Sequence, residues 1–411
     1  MNRLSTFFIL LILLNNLLNE FIPLLNHTDQ ILTIYFIIFG TAKLFKMESK
    51  GLKVFNKCEI TTFRISIILM LWVIAGTLNS DVKNTLLLQL FTLFSGFKFL
   101  CVYYGFRIYF FEGYSLNKIK ILLRLTYVFS VLSLGIYLVN MIFDILPNYG
   151  ERMGLNTVDY FFGHPAEYNV VLISMLALNL YINYRFKNYK IDYKYLTLTS
   201  FLLFTTGRAS ALGYFTSVII CILILRYLRK YFMILTVFPI AFGLIMSIER
   251  ISLTFFGSLT ARSALLSTSF RIAWDYFPFG SGLGTFGSYA SRVNYSPIYY
   301  MYNIFNIHGL SYANPMYIND SYWAMIIGEY GFIGAILMFG ILFLLTVNFY
   351  RVKTGLIGFI IVIPFLYLMT TSLIDTTLVS YSFLAPILTS TLLYSIEKNL
   401  NKRSILNEDF N

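Results

Sequence analysis

Apolar residues in this chain fall in long runs separated by short polar breaks. Phe7–Leu18, Ile65–Ile74 and Ala211–Leu225 are nearly unbroken apolar stretches, and their flanks extend each to the roughly 20 residues that a bilayer-spanning helix needs. Read in this way, the pattern predicts twelve helices, at 4–25, 30–45, 61–78, 84–104, 121–146, 167–184, 195–207, 211–226, 231–248, 321–349, 355–372 and 378–396. The expected fold class is all-α, a polytopic helical bundle in which residues 1–411 form one integral membrane domain. Strands of an outer-membrane barrel would alternate apolar and polar positions, and these runs do not.

Composition agrees with the pattern. The chain is 58% hydrophobic and 12% charged, against about 25% charge in an average soluble domain. A cytosolic enzyme and a secreted domain are excluded on that count. The net charge is +12, and its placement matters more than its size. Most Lys and Arg fall in the segments that the span count assigns to one side, among them Lys43, Lys46, Lys50, Lys53, Arg107, Lys118, Arg185, Lys194, Arg226 and Lys398. The positive-inside rule then places both termini in the cytoplasm. The first span resembles a signal peptide but lacks a small-residue cleavage site before His27, so it is read as retained. Cys58 falls in a cytoplasmic loop, and Cys101 and Cys221 fall within spans, so no extracytoplasmic disulfide is expected. No internal repeat is evident.

Two outside connections exceed the rest in length, 147–166 and 249–320. The longer one is too rich in Tyr, Phe and other apolar residues to stay disordered, and Ser263–Phe277 within it is expected to form a short amphipathic helix at the membrane surface.

The outside basic residues are Lys83 and six arginines: Arg152, Arg208, Arg250, Arg262, Arg271 and Arg292. Topology needs no Arg there, whereas a guanidinium offers a planar fork that matches phosphate oxygens. Each alternatively snorkels to lipid phosphates or pairs with an acid such as Glu151, Glu249 or Asp275. Arg208 sits in Thr206-Gly207-Arg208-Ala209-Ser210, a polar break between two short spans, and an ionisable residue at that depth is a functional candidate. Arg152 precedes Gly163, and Arg271 precedes Gly282, by the same eleven positions. The second instance continues through Gly280-Ser281-Gly282-Leu283-Gly284-Thr285-Phe286, a turn able to present backbone N–H groups to an anion or serve as an ordinary loop. His27, His164 and His308 all lie outside. Asp320, at the entrance to the tenth span, is either a base or a helix N-cap, and Glu329 follows nine residues later. No metal-binding spacing, nucleotide-binding loop or other cofactor signature occurs, and no nucleic-acid partner is expected.

Gly207-Arg208-Ala209-Ser210, Phe270-Arg271-Ile272-Ala273-Trp274 with Phe279–Phe286, and Asp320-Ser321-Tyr322-Trp323 leading to Glu329-Tyr330-Gly331 together resemble the Wzy-type O-antigen and capsule polymerases of the O-antigen ligase/polymerase superfamily. The resemblance covers roughly residues 200–340. Ligases of that superfamily tend to carry His-Asn where Asp320-Ser321 stands here, which favours a polymerase. The resemblance implies periplasmic glycosyl transfer between undecaprenyl-diphosphate-linked glycans, alongside a flippase and a chain-length regulator. It makes Arg208 and Arg271 the expected partners of the leaving diphosphate, Arg152 and Arg262 secondary anion contacts, and Asp320 or His308 the base. Gly163, Gly282, Gly284 and Glu329 are the remaining substrate-site candidates. The alternatives are an O-antigen ligase and a lipid-linked-sugar flippase.

Overall fold

A computed structural model of the chain describes Leu18 and residues 27–111, 116–152, 155–187, 191–227, 260–373 and 375–408. The expected spans 4–25 and 231–248, together with Arg250, lie outside the described residues. In chain order the helices are α1 (Thr28–Glu48), α2 (Lys57–Asn79), α3 (Leu86–Tyr109), α4 (Leu116–Phe143), α5 (Pro165–Phe186), α6 (Tyr193–Thr205), α7 (Ala209–Tyr227), α8 (Ala261–Asp275), the short α9 (Tyr289–Val293) and α10 (Ile298–Met301), α11 (Tyr322–Arg351), α12 (Leu356–Ser372) and α13 (Leu384–Glu408). The protein is mostly helical, and six of these helices, α1 to α5 and α11, are long and apolar enough to cross a membrane among the described residues. α7 and α12 are shorter apolar helices. α6 has 13 residues, about 20 Å at 1.5 Å per residue, and so falls short of a hydrocarbon core of about 30 Å. Hydropathy alone therefore counts α6 as a span when its length does not allow it to cross unaided.

Two further differences from the expected layout concern the long connections. The 147–166 segment is not a plain loop: Asn148–Arg152 (β1) and Leu155–Val158 (β2) form an antiparallel hairpin with Glu151 opposite Asn156. Within 249–320, the helix expected at Ser263–Phe277 is α8, two residues out of register at each end. Its Ala264, Leu265, Ile272 and Ala273 are buried against α11 and the loop beyond, and Phe270 and Trp274 face outward.

α5 is the central helix, buried along nearly its whole length by α4, α12 and α13. Its mean hydropathy is 1.3, against 2.4 for α11, because a helix that touches protein on every side can carry polar residues if they are paired. Asn169 donates to Thr206 Oγ1 at 3.1 Å, and Asn183 donates to Asn179 Oδ1 at 2.8 Å. Away from the β-hairpin, at the opposite end of the bundle, Arg107 on α3 pairs with Glu59 on α2, both fully buried. Tyr103 O–H donates to the same carboxylate at 3.0 Å, and Asn348 on α11 donates to Tyr103 Oη at 2.9 Å. Within the bundle, Lys98 on α3 pairs with Asp29 on α1.

α11 is broken. Gly331 has φ +70° and ψ −179°, so the helix divides into Tyr322–Tyr330 and Phe332–Arg351, and the carbonyls before the break lose their partners in the next turn. The glycine-rich loop supplies replacements: Ser281 N–H donates to Gly328 O at 2.9 Å and Gly282 N–H to Glu329 O at 3.1 Å. Trp72 Nε1 on α2 donates to Tyr330 O at 3.2 Å. In return the loop receives the buried Glu329 carboxylate, whose Oε1 accepts Phe286 N–H at 3.0 Å. The backbones approach closely, and a Cβ on Gly280 would sit 2.4 Å from Gly331 N. Gly280 also has φ +78°, which costs an L-residue roughly 1–2 kcal/mol before any clash. Gly280→Ala is therefore expected to destabilise the folded protein by at least about 2 kcal/mol, read as a lowered thermal unfolding midpoint in detergent.

Candidate functional site

At the end of the bundle where the β-hairpin lies, five polar side chains from separate parts of the chain converge. The turn between α6 and α7 presents the first. Thr206 closes α6, Gly207 takes φ +59°, and Arg208 follows as the residue that leads into α7, its carbonyl accepting Ala211 N–H at 3.1 Å. Asn169 on α5 holds this turn through Thr206, and Tyr160 bonds Thr205 at 2.6 Å, so the guanidinium projects from a fixed base. Arg208 Nη1 donates to Asp375 Oδ2 at 3.4 Å. Its Nη2 lies 3.2 and 3.1 Å from the two ring nitrogens of His164, which requires the imidazole to offer a lone pair there. Arg208 Nε is buried with no hydrogen-bond partner.

Arg262 arrives from α8, whose first turn is closed by a Thr260–Ser263 capping box. One nitrogen, Nη2, meets two acids: Asp375 Oδ1 at 3.1 Å and Asp320 Oδ2 at 3.6 Å. Asp375 lies just past α12, where its N–H donates to Thr371 O at 2.8 Å, and it receives both arginines, one on each oxygen. Asp320 immediately precedes Ser321, which is the N-cap of α11; Asp320 itself is thus not the N-cap. Burial pushes the Asp320 carboxyl above the usual carboxylate range, with Asp375 adding to the shift and Arg262 opposing it. Arg292, half-buried, reaches Asn319 Oδ1 at 3.5 Å and adds positive potential beside Asp320.

The remaining expected site residues lie elsewhere. Arg271 is exposed on α8, nine residues from Arg262, about 13.5 Å of helix rise; its guanidinium sits 5.3 Å from the Tyr302 ring centre, and Tyr302 O–H donates to Asp275 at 2.7 Å. His308 is exposed, its ring 5.9 Å from that of Tyr317, and no hydrogen bond or ion pair among the described residues joins it to Asp320. Arg152 ends β1, and its side chain lies outside the described residues. Gly163, with φ +72°, accepts Tyr149 O–H at 2.5 Å and leads directly into His164, the N-cap of α5. Gly282 and Gly284 belong to the α11 latch: Leu283 N–H between them donates to Thr77 Oγ1 at 3.0 Å, and Gly284 O accepts from Asn84 at 2.7 Å. Glu329 is fully buried in the same latch. The two equal arginine-to-glycine spacings thus end in different structures, one placing His164 beside Arg208 and the other locking α11.

Asp375 escaped the sequence reading because it stands alone between two apolar helices with no motif around it. The signal was available in its position, an acid in a connection on the same side as the outside arginines. No family model matches the chain, and no curated protein is similar enough to it to indicate a family.

Chemically, the cluster holds two cations bridged by acids that are only partly covered, with side-chain exposures of 13% for Arg208, 33% for Arg262 and 23% for Asp375. Ion pairs of this exposure are each worth about 1 kcal/mol or less, so an anion with better geometry displaces the carboxylate at little cost. Asp375→Asn removes the resident negative charge from between the arginines. It is expected to raise affinity for inorganic diphosphate about tenfold, or about 1.4 kcal/mol, in calorimetric titration of the purified protein.

Proposed function

We propose that the protein is a polysaccharide polymerase that joins undecaprenyl-diphosphate-linked oligosaccharide repeat units at the periplasmic face of the bacterial inner membrane. The observation that carries this reading is the convergence of Arg208 and Arg262 on Asp375, with Asp320 alongside, at one end of a membrane helix bundle. A lipid diphosphate leaving group needs cations placed where its charge develops, and such preorganised charge is commonly the largest contribution to catalysis. Arg208, whose Nε is unpartnered, and Arg262 supply it. Asp320 accepts the proton of the attacking sugar hydroxyl; the hydroxyl oxygen bonds to the anomeric carbon of the donor; the bond from that carbon to the diphosphate breaks, and undecaprenyl diphosphate departs as an anion held by the two guanidiniums. A carboxyl lifted above its ordinary value is the stronger base for this transfer. Arg271, exposed beside Tyr302, is assigned an outer contact with the incoming glycan in place of a position at the leaving group.

In cells, Arg208→Gln is expected to abolish long polysaccharide while single lipid-linked units accumulate, as seen on gels of extracted glycans. Unchanged chain lengths would refute the assignment, and full-length polymer retained on undecaprenyl diphosphate would indicate a ligase instead.

The pH dependence follows from Asp320. The base must be ionised, so the rate rises as pH increases through its pKa, which lies above the ordinary Asp value of about 3.9. Arg262 opposes that upward shift. Arg262→Gln is therefore expected to retain a reduced rate and to move the acidic limb of the pH–rate profile to higher pH, measured with purified enzyme and lipid-linked donor.

A further inference from the structure

Where the end of α4 meets the β-hairpin, a cavity of about 370 Å³ is lined by Tyr137, Asn140, Met141, Ile142, Asp144 and Glu151 among others. Its chemistry is opposite in sign to that of the arginine cluster. Asp144 and Glu151 are exposed, and among the described residues no cation lies within ion-pair distance of either. Tyr137 and Asn140 are more than nine-tenths buried, at 5% and 8% exposure. Asn140 Oδ1 accepts Leu146 N–H at 2.5 Å, but Asn140 Nδ2 and the Tyr137 hydroxyl have no hydrogen-bond partner among the described residues. Neither donor is sealed from solvent: on side chains otherwise covered by protein, both open onto the cavity and are free to meet an acceptor that a ligand brings. The third face is apolar: Met141 and Ile142 are 68% and 77% exposed and continue the outward stripe of α4 through Val131 and Leu138, a surface that suits hydrocarbon.

A ligand that fits must bring a cation with N–H donors for the carboxylates, acceptor oxygens for Tyr137 and Asn140, and a hydrocarbon tail. We propose that this cavity binds the headgroup of an ethanolamine phospholipid. The ammonium lies between Asp144 and Glu151, the phosphate oxygens accept from the Tyr137 hydroxyl and the Asn140 amide, and an acyl chain runs along Met141 and Ile142. A choline headgroup carries the charge without N–H donors, and a glycerol headgroup lacks the cation, so both fit less well. The site is independent of the glycan chemistry proposed above.

The test is native mass spectrometry of the purified full chain, exchanged in turn into detergent micelles containing dioleoyl phosphatidylethanolamine, phosphatidylcholine or phosphatidylglycerol. Wild type is expected to retain the ethanolamine lipid about tenfold better than either of the others, and the double variant Asp144→Asn, Glu151→Gln to lose that preference. Asn suits position 144, where φ is +49°, since Asn tolerates the left-handed region as Asp does. An unchanged unfolding midpoint of the variant in lipid-free detergent shows that the fold is intact; where the double variant does not fold, Asn140→Ala serves in its place. Equal retention of the three lipids by wild type, or a preference that survives the substitutions, overturns the proposal. So does binding of soluble phosphoethanolamine as tight as that of the lipid, because the apolar stripe would then contribute nothing.

Discussion

The break in α11 at Gly331 governs how this end of the molecule is built. A helix in a membrane has no water to satisfy carbonyls freed by a kink, so another part of the protein must do so. Here the partner is the loop Phe279–Phe286, which donates Ser281 N–H and Gly282 N–H to the orphaned carbonyls and in turn receives the Glu329 carboxylate at Phe286 N–H. The exchange fixes the loop against α2 and α11 at once, because Ser80 Oγ also donates to Ser281 O at 2.6 Å. α8 enters that loop and Asp320 precedes α11, so Arg262 and Asp320 are carried on two elements joined by the latch. Their 3.6 Å approach depends on a contact made by backbone atoms some distance away.

The molecule keeps its charges in two regimes. Glu59 and Arg107 are sealed among Tyr103, Asn348 and Ser395, where removal of either partner would strand a charge in a low-dielectric interior at a cost of about 3–5 kcal/mol. Arg208, Arg262, Asp320 and Asp375 are partly open, share acceptors unevenly and leave Arg208 Nε unpartnered. A network that served stability alone would satisfy its buried donors. The contrast between the two ends is the physical basis for separating scaffold from site.

Hydropathy made the helices legible, since a run of apolar residues in this composition has few other uses. It did not reveal which helices are encased or how long each is, and so it treated the 13-residue α6 like the 23-residue α2. Arg208 was legible because a lone charge in an apolar context is costly and therefore informative. Arg271 was legible by spacing, but spacing along the chain carries no information about which side of α8 faces the bundle, and Arg262 is the residue that meets Asp375. The glycine-rich motif and Glu329 were both noticed, yet their mutual hydrogen bonds join positions some 45 residues apart, a separation that no local pattern encodes. The β-hairpin was missed for a simpler reason: its nine strand residues include Asn, Gly, Glu and Arg and show no alternating apolar face.

The encasement of α5 also has a bearing on biogenesis. Asn169 and Asn179 donate to partners outside the helix, Thr206 in the α6–α7 turn and Thr126 on α4, while Asn183 bonds Asn179 within it, and α12 and α13 complete the wall around α5. Yet 170 residues separate Phe186, the end of α5, from Leu356, the start of α12. At translation rates of about 5–20 residues per second, roughly ten to thirty seconds pass before α12 begins to be made, and longer before α13. During that interval Tyr181 and Arg185 lack the Glu397 carboxylate on α13 that both meet in the finished protein, so the helix that ends as the most enclosed of the spans begins with one wall open. Closure of the bundle around α5 is therefore a late step of assembly, completed only when α12 and α13 have been made.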